Sequence, residues 1–303
     1  MPMCRRGARQ RKVFFSIIMN KMKPDLPVEE SADIGDSVIE YLRYESSGPP
    51  LIFLHATGFL PWLWHPIARG LADSYHIICP YFCDHRDADP ENGGFDWFLL
   101  ADDLTRLCRT LNIASPYMVG HSMGGAVMTI AGGALGLGIR KMILIEPILL
   151  PREFYSVAMN VEDHPLAGKS IRRRNSWEDA EEARVYLKSK PLFRSWDDEM
   201  LDLYIQHGMA PADSGGLALT CHPRREAALF MGSMGYDPWP ILSNVNCPVL
   251  VLEGERTENK GIIDFQKAAE AFPHGEHRIV KNAGHLIPME KPLETLEIIR
   301  SFF

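Results

Sequence analysis

"PYMVGHSMGGAVMTIAGGAL", residues 116–135, is the stretch that decides the fold. A short apolar run leads into Gly-His-Ser-Met-Gly-Gly, and a second apolar run with helical spacing follows directly. A serine on a tight turn between a strand and a helix needs neighbours without side chains, and Gly120 and Gly124 meet that need. Such a turn lifts the hydroxyl of Ser122 above a sheet, and the helix N-terminus stabilises negative charge that develops there. The stretch therefore predicts a nucleophilic serine.

The chain around this turn alternates strand-like and helix-like runs. Short apolar or alternating runs, typical of strands, lie at residues 37–44, 49–58, 75–82, 116–121, 141–147, 247–255 and 277–282. Runs with helical spacing lie at residues 63–73, 96–113, 124–135, 262–272 and 292–303. Strands separated by helices form right-handed βαβ units. The sequence thus predicts an α/β fold, with a mostly parallel twisted sheet and helices on both faces.

The alternation is interrupted once, and this interruption sets the domain organisation. Residues 150–238 are rich in charge and in helix formers, as in "SWEDAEEARVYLKSK", and have little strand character. We expect them to form a helical cap inserted between two sheet strands. Residues 31–149 then form the first part of the core domain, and residues 239–303 the second.

The N-terminal segment, residues 1–30, is expected to be a disordered extension. It begins with basic residues and holds a short apolar patch at Val13–Met19, which faintly resembles a signal peptide. Lysines follow the patch, where a cleavage site would have small residues. Met19 and Met22 are other possible starting points of the protein.

Composition excludes several classes of function. The 303 residues are 46% hydrophobic and 23% charged, with a net charge of −7, which argues against nucleic acid as a partner. No apolar run is long enough to span a bilayer, so stable membrane insertion is not expected. The six cysteines lack a CxxC spacing and indicate reduced thiols in a cytoplasmic protein. We expect a monomer or a homodimer that acts on a small molecule without a metal or another cofactor.

Three motifs in order carry a resemblance to a known family. "LIFLHATG" (51–58), "GHSMGG" (120–125) and "NAGHLIPMEKP" (282–292) resemble the α/β hydrolases, in particular their capped, esterase-like members. The resemblance covers residues 37–303 and implies a serine nucleophile at Ser122 with His285 as its base. An aspartate in place of Ser122 would indicate a dehalogenase or an epoxide hydrolase.

The acid that completes such a triad has three candidates in the sequence. Most members of this family carry an aspartate just after the strand that corresponds to "PVLVLEGE", but the loop that follows here has only Glu255 and Glu258. Some members carry the acid at the end of the strand after the nucleophile strand, which is the position of Glu146. Neighbouring parallel strands lie roughly 4.8 Å apart, so Ser122 and Glu146 could flank one imidazole. Glu146 is therefore the favoured acid, and Glu255 and Glu258 remain alternatives.

The same resemblance implies an oxyanion hole formed by two backbone N–H groups, from Thr57 and Met123. Ala56 departs from the glycine that is common there, and it fits only with a negative φ. Apolar residues beside the three motifs suggest an apolar or aromatic substrate group. The candidate pocket residues are Phe59, Trp62, Leu149, Met234, Trp239 and Leu286.

These features predict a serine hydrolase that cleaves a carboxylic ester, a thioester or a lactone through an acyl-enzyme. Two alternatives stay open on the sequence. One is a C–C bond hydrolase of aromatic ring-cleavage products, which uses the same triad. The other is a non-catalytic receptor that keeps the fold and binds a ligand in the pocket.

Overall fold

The computed structural model describes residues 26–83 and 85–303. In this part of the chain ten strands occur, numbered here in chain order. They are β1 Val28–Asp33, β2 Val38–Tyr44, β3 Pro50–Leu54, β4 His76–Pro80, β5 Tyr117–His121, β6 Lys141–Ile145, β7 Met209–Pro211, β8 Leu217–Leu219, β9 Val249–Gly254 and β10 Gly275–Val280. Eight form one sheet in the order β1-β2-β4-β3-β5-β6-β9-β10, and β7 and β8 form a separate pair. Only the pairings of β2, with β1 and with β4, are antiparallel within the large sheet, so the predicted mostly parallel sheet is confirmed.

The α-helices of the described residues lie between these strands or, for the last two, after β10. They are α1 His65–Ala68, α2 Trp97–Thr110, α3 Met123–Gly133, α4 Ala167–Ile171, α5 Ala180–Lys188, α6 Pro191–Arg194, α7 Asp198–Gly208, α8 Pro223–Met231, α9 Phe265–Glu270, α10 Ile287–Glu290 and α11 Pro292–Phe302. The start of helix α2 is fixed by an N-cap residue. The Asp96 carboxylate precedes it and accepts a hydrogen bond from the backbone N–H of Phe98 at 2.8 Å, an N-cap that satisfies one of the first-turn donors.

Two hydrophobic clusters cover the two faces of the sheet. Successive side chains of a strand point to opposite faces, so β3 contributes to both clusters. Ile52 and Leu54 pack with residues of α2, α3 and α9, whereas Leu51 and Phe53 pack with residues of α1 and α11. Because both faces are covered, the central strands are apolar without interruption. The predicted helices on both faces are confirmed.

The strand register brings two chain positions to one rim of the sheet. His121 of β5 pairs with Ile145 of β6, and Ile145 pairs with Leu252 of β9. The residues that follow, Ser122 and Glu146, therefore leave neighbouring strands at the same edge. Their backbones are joined to the sheet, since the N–H of Ser122 donates to the carbonyl of Ile145 at 2.9 Å and that of Glu146 to the carbonyl of Leu252 at 2.9 Å.

Residues 150–238, called the helical insertion below, contain α4 to α8 together with the β7–β8 pair. The short pair was not predicted, because its strands have three residues each. The insertion is joined to the core by backbone contacts. The N–H of Phe95 donates to the carbonyl of Ala228 at 2.8 Å, and a Cβ added at Gly232 would lie 1.7 Å from the carbonyl oxygen of Phe95. Helix α8 and the segment before α2 therefore touch at backbone distance.

Two sequence predictions differ from the structure. Most of the predicted N-terminal extension lies outside the described residues, but β1 begins at Val28, so the predicted boundary at residue 31 falls within a strand. The single helix predicted at residues 63–73 is instead a 3₁₀ turn, Pro61–Trp64, followed by the single-turn helix α1. Gly70 ends this segment where a Cβ would come within 2.7 Å of the Leu296 side chain.

Candidate active site

The turn after β5 holds Ser122 in a strained conformation. Its φ of 55° and ψ of −114° lie outside the regions that L-residues favour, a strain worth about 1–3 kcal/mol that persists only where the surroundings enforce it. Crowding at the neighbouring Gly120 and Gly124 shows how the surroundings enforce this conformation. A Cβ at Gly120 would lie 2.6 Å from the Gly124 carbonyl, and a Cβ at Gly124 would lie 2.5 Å from the carbonyl oxygen of Leu54. Both positions thus require glycine. Ser122 is 6% exposed.

Glu146 is a fully buried carboxylate at the end of β6, and it too has a positive φ, of 49°. A buried carboxylate must be compensated by donors. Its Oε1 accepts a hydrogen bond from the backbone N–H of Gly254 at 2.6 Å, and its Oε2 accepts one from the hydroxyl of Thr257 at 2.7 Å. Both donors come from the end of β9 and the loop after it. The carboxylate is therefore held by the neighbouring strand.

His285 meets this carboxylate. Its Nδ1 lies 3.1 Å from Oε2 of Glu146, and its side chain is 17% exposed. The loop that carries the ring is anchored on both sides, because His121 Nε2 lies 3.0 Å from the carbonyl oxygen of His285 and the N–H of Gly284 donates to Glu290 at 3.0 Å. The structure thus brings a buried carboxylate and a partly exposed imidazole together at the rim where Ser122 lies.

The two alternative acids are engaged elsewhere. Glu255 pairs with Lys281 at 2.8 Å and accepts a hydrogen bond from the backbone N–H of Asn282 at 2.9 Å. Glu258 is exposed and precedes a 3₁₀ turn, Asn259–Gly261. Of the three glutamates weighed in the sequence, Glu146 is the one that contacts the imidazole of His285.

Two residues of this cluster were missed in the sequence. Besides Thr257, the amide Nδ2 of Asn259 lies 2.8 Å from Nδ1 of His285 and 3.3 Å from Oε2 of Glu146. Both residues belong to "GERTENKG", the loop that also holds the two alternative acids, Glu255 and Glu258. The one available signal was the absence of an aspartate there, which leaves polar neutral residues where this family commonly carries its acid.

Two further histidines, His121 and His55, contact backbone groups of the surrounding loops. His121 is completely buried, and burial together with the nearby His285 holds its pKa well below the usual value, so its ring is neutral. A neutral ring that faces a carbonyl carries its proton on the facing nitrogen, Nε2. Near the oxyanion segment, Nδ1 of His55 lies 2.8 Å from the Ala56 carbonyl, and Nε2 accepts the N–H of Phe82 at 2.9 Å.

The segment after β3 forms a tight turn. The N–H of Phe59 donates to the carbonyl of Ala56 at 3.1 Å, and Gly58 has a φ of 75°, as the third position of a type II turn requires. Ala56 is absent from the residues with positive φ, so alanine fits there. Thr57 is buried within the turn. Met123 is the first residue of α3, where a backbone N–H has no acceptor within its own helix.

A buried ion pair lies against this turn. Nη1 of Arg173 contacts both carboxylate oxygens of Glu226, at 2.9 and 2.8 Å, and Nη2 lies 3.4 Å from the hydroxyl of Tyr204. Oxygen Oε1 of Glu226 is so close to the backbone that a Cβ added at Gly58 would lie 2.2 Å from it. The pair therefore joins the helical insertion to the turn that contains Thr57.

The predicted pocket residues divide between the two hydrophobic clusters. Leu149 and Trp239 pack with the α2 and α3 side, whereas Phe59, Trp62 and Leu286 pack with the other side. Met234 is buried in a 3₁₀ turn after α8. Their lining of one common pocket stays a prediction.

Trp62 contacts the helical insertion and strand β1. Its ring stacks on His207 with centroids 3.7 Å apart, and its Nε1 donates to Glu29 of β1 at 3.2 Å. Phe59 packs against two rings of the insertion, tilted against Trp196 and edge-on against Tyr204, with centroids 5.5 and 5.9 Å away. An aromatic group of the insertion thus lies directly behind the turn of Thr57.

Charged residues after β4 form a separate network. Arg86 makes two hydrogen bonds to the buried carboxylate of Asp103, both at 2.7 Å, and Nε2 of His85 lies 2.9 Å from the same carboxylate. Asp84 lies outside the described residues. Across residues 26–83 and 85–303, no cluster of three His, Cys, Asp or Glu side chains suits a metal ion.

The fold and this rim of the sheet define a class. The chain belongs to the α/β hydrolase family, whose model matches residues 51–298. In the same described ranges, no helix has the length and apolar character needed to cross a membrane.

Comparison with known proteins finds several that are similar to this chain. A 2-(acetamidomethylene)succinate hydrolase from Mesorhizobium japonicum is 23% identical over 91% of this chain and 95% of that protein. A crystal structure of E-2-(acetamidomethylene)succinate hydrolase has a TM-score of 0.75 at 22% identity, and covers 91% of this chain and 98% of that one. A thermophilic esterase from Thermogutta terrifontis has a TM-score of 0.64 at 20% identity, with 91% and 97% covered. At these identities the structural likenesses establish the fold alone.

Proposed function

We propose that this protein is a serine hydrolase that cleaves a carboxylic ester, a thioester or a lactone through an acyl-enzyme. The observation that carries the proposal is the 3.1 Å contact between Nδ1 of His285 and Glu146, at the rim where the strained Ser122 leaves β5. A buried carboxylate on Nδ1 holds an imidazole in the tautomer that accepts a proton at Nε2, and it stabilises the imidazolium once formed.

The proposed reaction has two halves. In the first, Oγ of Ser122 attacks the carbonyl carbon while Nε2 of His285 takes the hydroxyl proton, and the same nitrogen then protonates the leaving group. The negative charge on the carbonyl oxygen is held by the backbone N–H groups of Thr57 and Met123. In the second half Nε2 of His285 takes a proton from water, which attacks the acyl-serine, and then gives that proton to Oγ of Ser122 as the acid is released. Glu146 keeps its charge throughout.

The acyl group is proposed to be apolar or aromatic. Support comes from the rings of Phe59, Trp196 and Tyr204, which lie behind the turn of Thr57. An esterase is among the proteins of similar fold. We also propose that the helical insertion acts as a cap over the rim, because the Arg173–Glu226 pair joins it to the turn that contains Thr57, and helix α8 touches the segment before α2.

Covalent labelling tests the proposal. A fluorophosphonate should label the wild-type protein at one site, and Ser122→Ala should abolish the labelling. Ser170→Ala is the matched control, since Ser170 has the same 6% exposure but lies in α4, away from β5. Absence of labelling in the wild type, with a ligand still bound, would instead support a receptor.

Substrate assays separate the remaining alternatives. A series of p-nitrophenyl esters of graded chain length should be hydrolysed, with a higher kcat/KM for longer or aromatic acyl groups. Turnover of a ring-cleavage dienoate without ester hydrolysis would move the assignment to a C–C bond hydrolase.

A further inference from the structure

The helical insertion contacts the turn of Thr57 at the two residues that follow it. Glu226 lies against Gly58, where an added Cβ would come within 2.2 Å of the carboxylate oxygen Oε1 and 2.7 Å of Cδ. Phe59 packs against the ring of Tyr204, with centroids 5.9 Å apart. Because a turn sets the direction of its own N–H groups, the position of the Thr57 N–H depends on these two contacts.

One guanidinium joins the two contacts. Nη1 of Arg173 lies 2.9 and 2.8 Å from the carboxylate oxygens of Glu226, and Nη2 lies 3.4 Å from the hydroxyl of Tyr204. Glu226 and Tyr204 are 8% and 1% exposed, so water screens the carboxylate less than it would at the surface. Arg173 therefore holds both side chains that touch the turn, and it offsets the negative charge of Glu226.

The core fixes Glu226 in this place. The residue belongs to the first turn of α8, and the helix is bonded to the core directly after it. The N–H of Phe95 donates to the carbonyl of Ala228 at 2.8 Å, and Nε1 of Trp97 donates to the carbonyl of Leu229 at 2.9 Å. We therefore expect the carboxylate to stay beside the turn when its partner is removed.

We propose that Arg173 and Glu226 are positioning residues for the turn of Thr57, and that Arg173 offsets the charge that Glu226 places beside the developing oxyanion. The inference rests on the proposed function, because it needs the N–H of Thr57 to hold negative charge. An unpaired carboxylate next to Gly58 opposes negative charge on the carbonyl oxygen of the substrate, whereas an unpaired guanidinium does not. The two ways of breaking the pair should therefore have unequal effects on catalysis.

The test compares the charge that each variant leaves behind. R173M leaves the carboxylate, and kcat/KM for a p-nitrophenyl ester should fall by about 10- to 100-fold, less than the loss of a whole oxyanion donor. E226Q keeps the shape of the side chain but leaves the guanidinium, and should lower kcat/KM by no more than about threefold. The double variant R173M/E226Q leaves no charge and should recover at least about fivefold of the loss in R173M. A purely structural pair would be broken equally in both single variants and would show no rescue.

An inhibitor gives a second readout. When Oγ of Ser122 adds to the carbonyl carbon of a trifluoromethyl ketone, the ketone oxygen becomes an anion and the hydroxyl proton passes to His285. Its affinity should weaken in R173M and recover in R173M/E226Q in parallel with kcat/KM, while that of the matching methyl ketone, which stays neutral, should not change.

The conditions and controls separate charge from folding. Assays at about pH 8.5 keep the carboxyl of Glu226 ionised, well above its ordinary pKa. R173Q, whose amide can still donate to the carboxylate, should show the same loss as R173M and replaces it if R173M does not fold. R174M is the matched control, because Arg174 pairs with Glu182 at an exposed position, and it should leave kcat/KM unchanged.

The outcomes separate the two proposals. Equal losses in E226Q and in the Arg173 variants, no loss in the Arg173 variants, or no rescue in R173M/E226Q would overturn the inference. The serine hydrolase assignment would then still stand, because the wild type would hydrolyse esters and be labelled at Ser122. If a fluorophosphonate does not label wild-type Ser122, the proposed function is overturned and the inference falls with it.

Discussion

Removal of Arg173 should destabilise the protein far more than removal of its neighbour Arg174. In R173M the carboxylate of Glu226 stays buried beside Gly58 without its cation, and loss of one partner of a buried pair typically costs 3–5 kcal/mol. The side chains of Arg173 and Glu226 are 24% and 11% exposed, so solvent screens the pair in part. We therefore expect the free energy of unfolding to fall by about 3 kcal/mol, the low end of that range.

Urea denaturation followed by tryptophan fluorescence measures this loss. R174M is the matched control, because Arg174 makes the same kind of contact with Glu182 where both side chains are about 40% exposed, and exposed pairs contribute little. In the double variant R173M/E226L no buried charge is left, so it should be more stable than R173M alone. Equal losses in R173M and R174M, or a double variant less stable than R173M, would refute the reasoning.

Three other predictions concern the rim of the sheet. Gly124→Ala should cost about 1–3 kcal/mol in thermal or urea unfolding, because its Cβ would lie 2.5 Å from a β3 carbonyl oxygen, whereas Gly261→Ala, with open space around it, should be neutral. E146Q should abolish most ester turnover, while Glu258→Gln, at an exposed position, should leave kcat unchanged; the reverse would move the acid to Glu258. His121 has a lowered pKa in the folded state, so the unfolded chain binds the extra proton as pH falls below about 6.5, and stability should decline there by up to about 1.4 kcal/mol per pH unit. The stability of H121Q, measured from pH 7 to pH 5, should fall less steeply; an unchanged slope would contradict a buried neutral ring.

Much of the fold could be predicted because its signals are local. The central strands β3, β4, β5, β6 and β9 are buried on both faces, so each appears in the sequence as a short uninterrupted apolar run. The turn around Ser122 could be predicted equally well, because the crowding at Gly120 and Gly124 leaves no room for a side chain and therefore requires glycine. Edge strand β1 was missed because "VEESAD" is largely exposed and carries charge, which is how edge strands commonly appear.

The site was predictable only in part. Glu146 could be favoured because its position at a strand end follows from the strand order expected of the fold. Thr257 and Asn259 could not be found, because their contacts depend on the path of the loop after β9. A neutral threonine and a neutral asparagine give no sequence signal of the carboxylate that they surround. The ion pair of Arg173 and Glu226 likewise joins residues 53 positions apart.

The shared backbone ladder of β5, β6 and β9 has a mechanical consequence. The backbone N–H groups of Ser122 and Glu146 each donate a hydrogen bond to the next strand. The proposed nucleophile, Ser122, and the carboxylate of Glu146 are therefore held by one rigid sheet. The imidazole of His285, which contacts Glu146, belongs to a separate loop, joined to His121 and Glu290. Heating should therefore misalign the ring before it disturbs the other two groups, and turnover should fade at temperatures where the sheet is still intact.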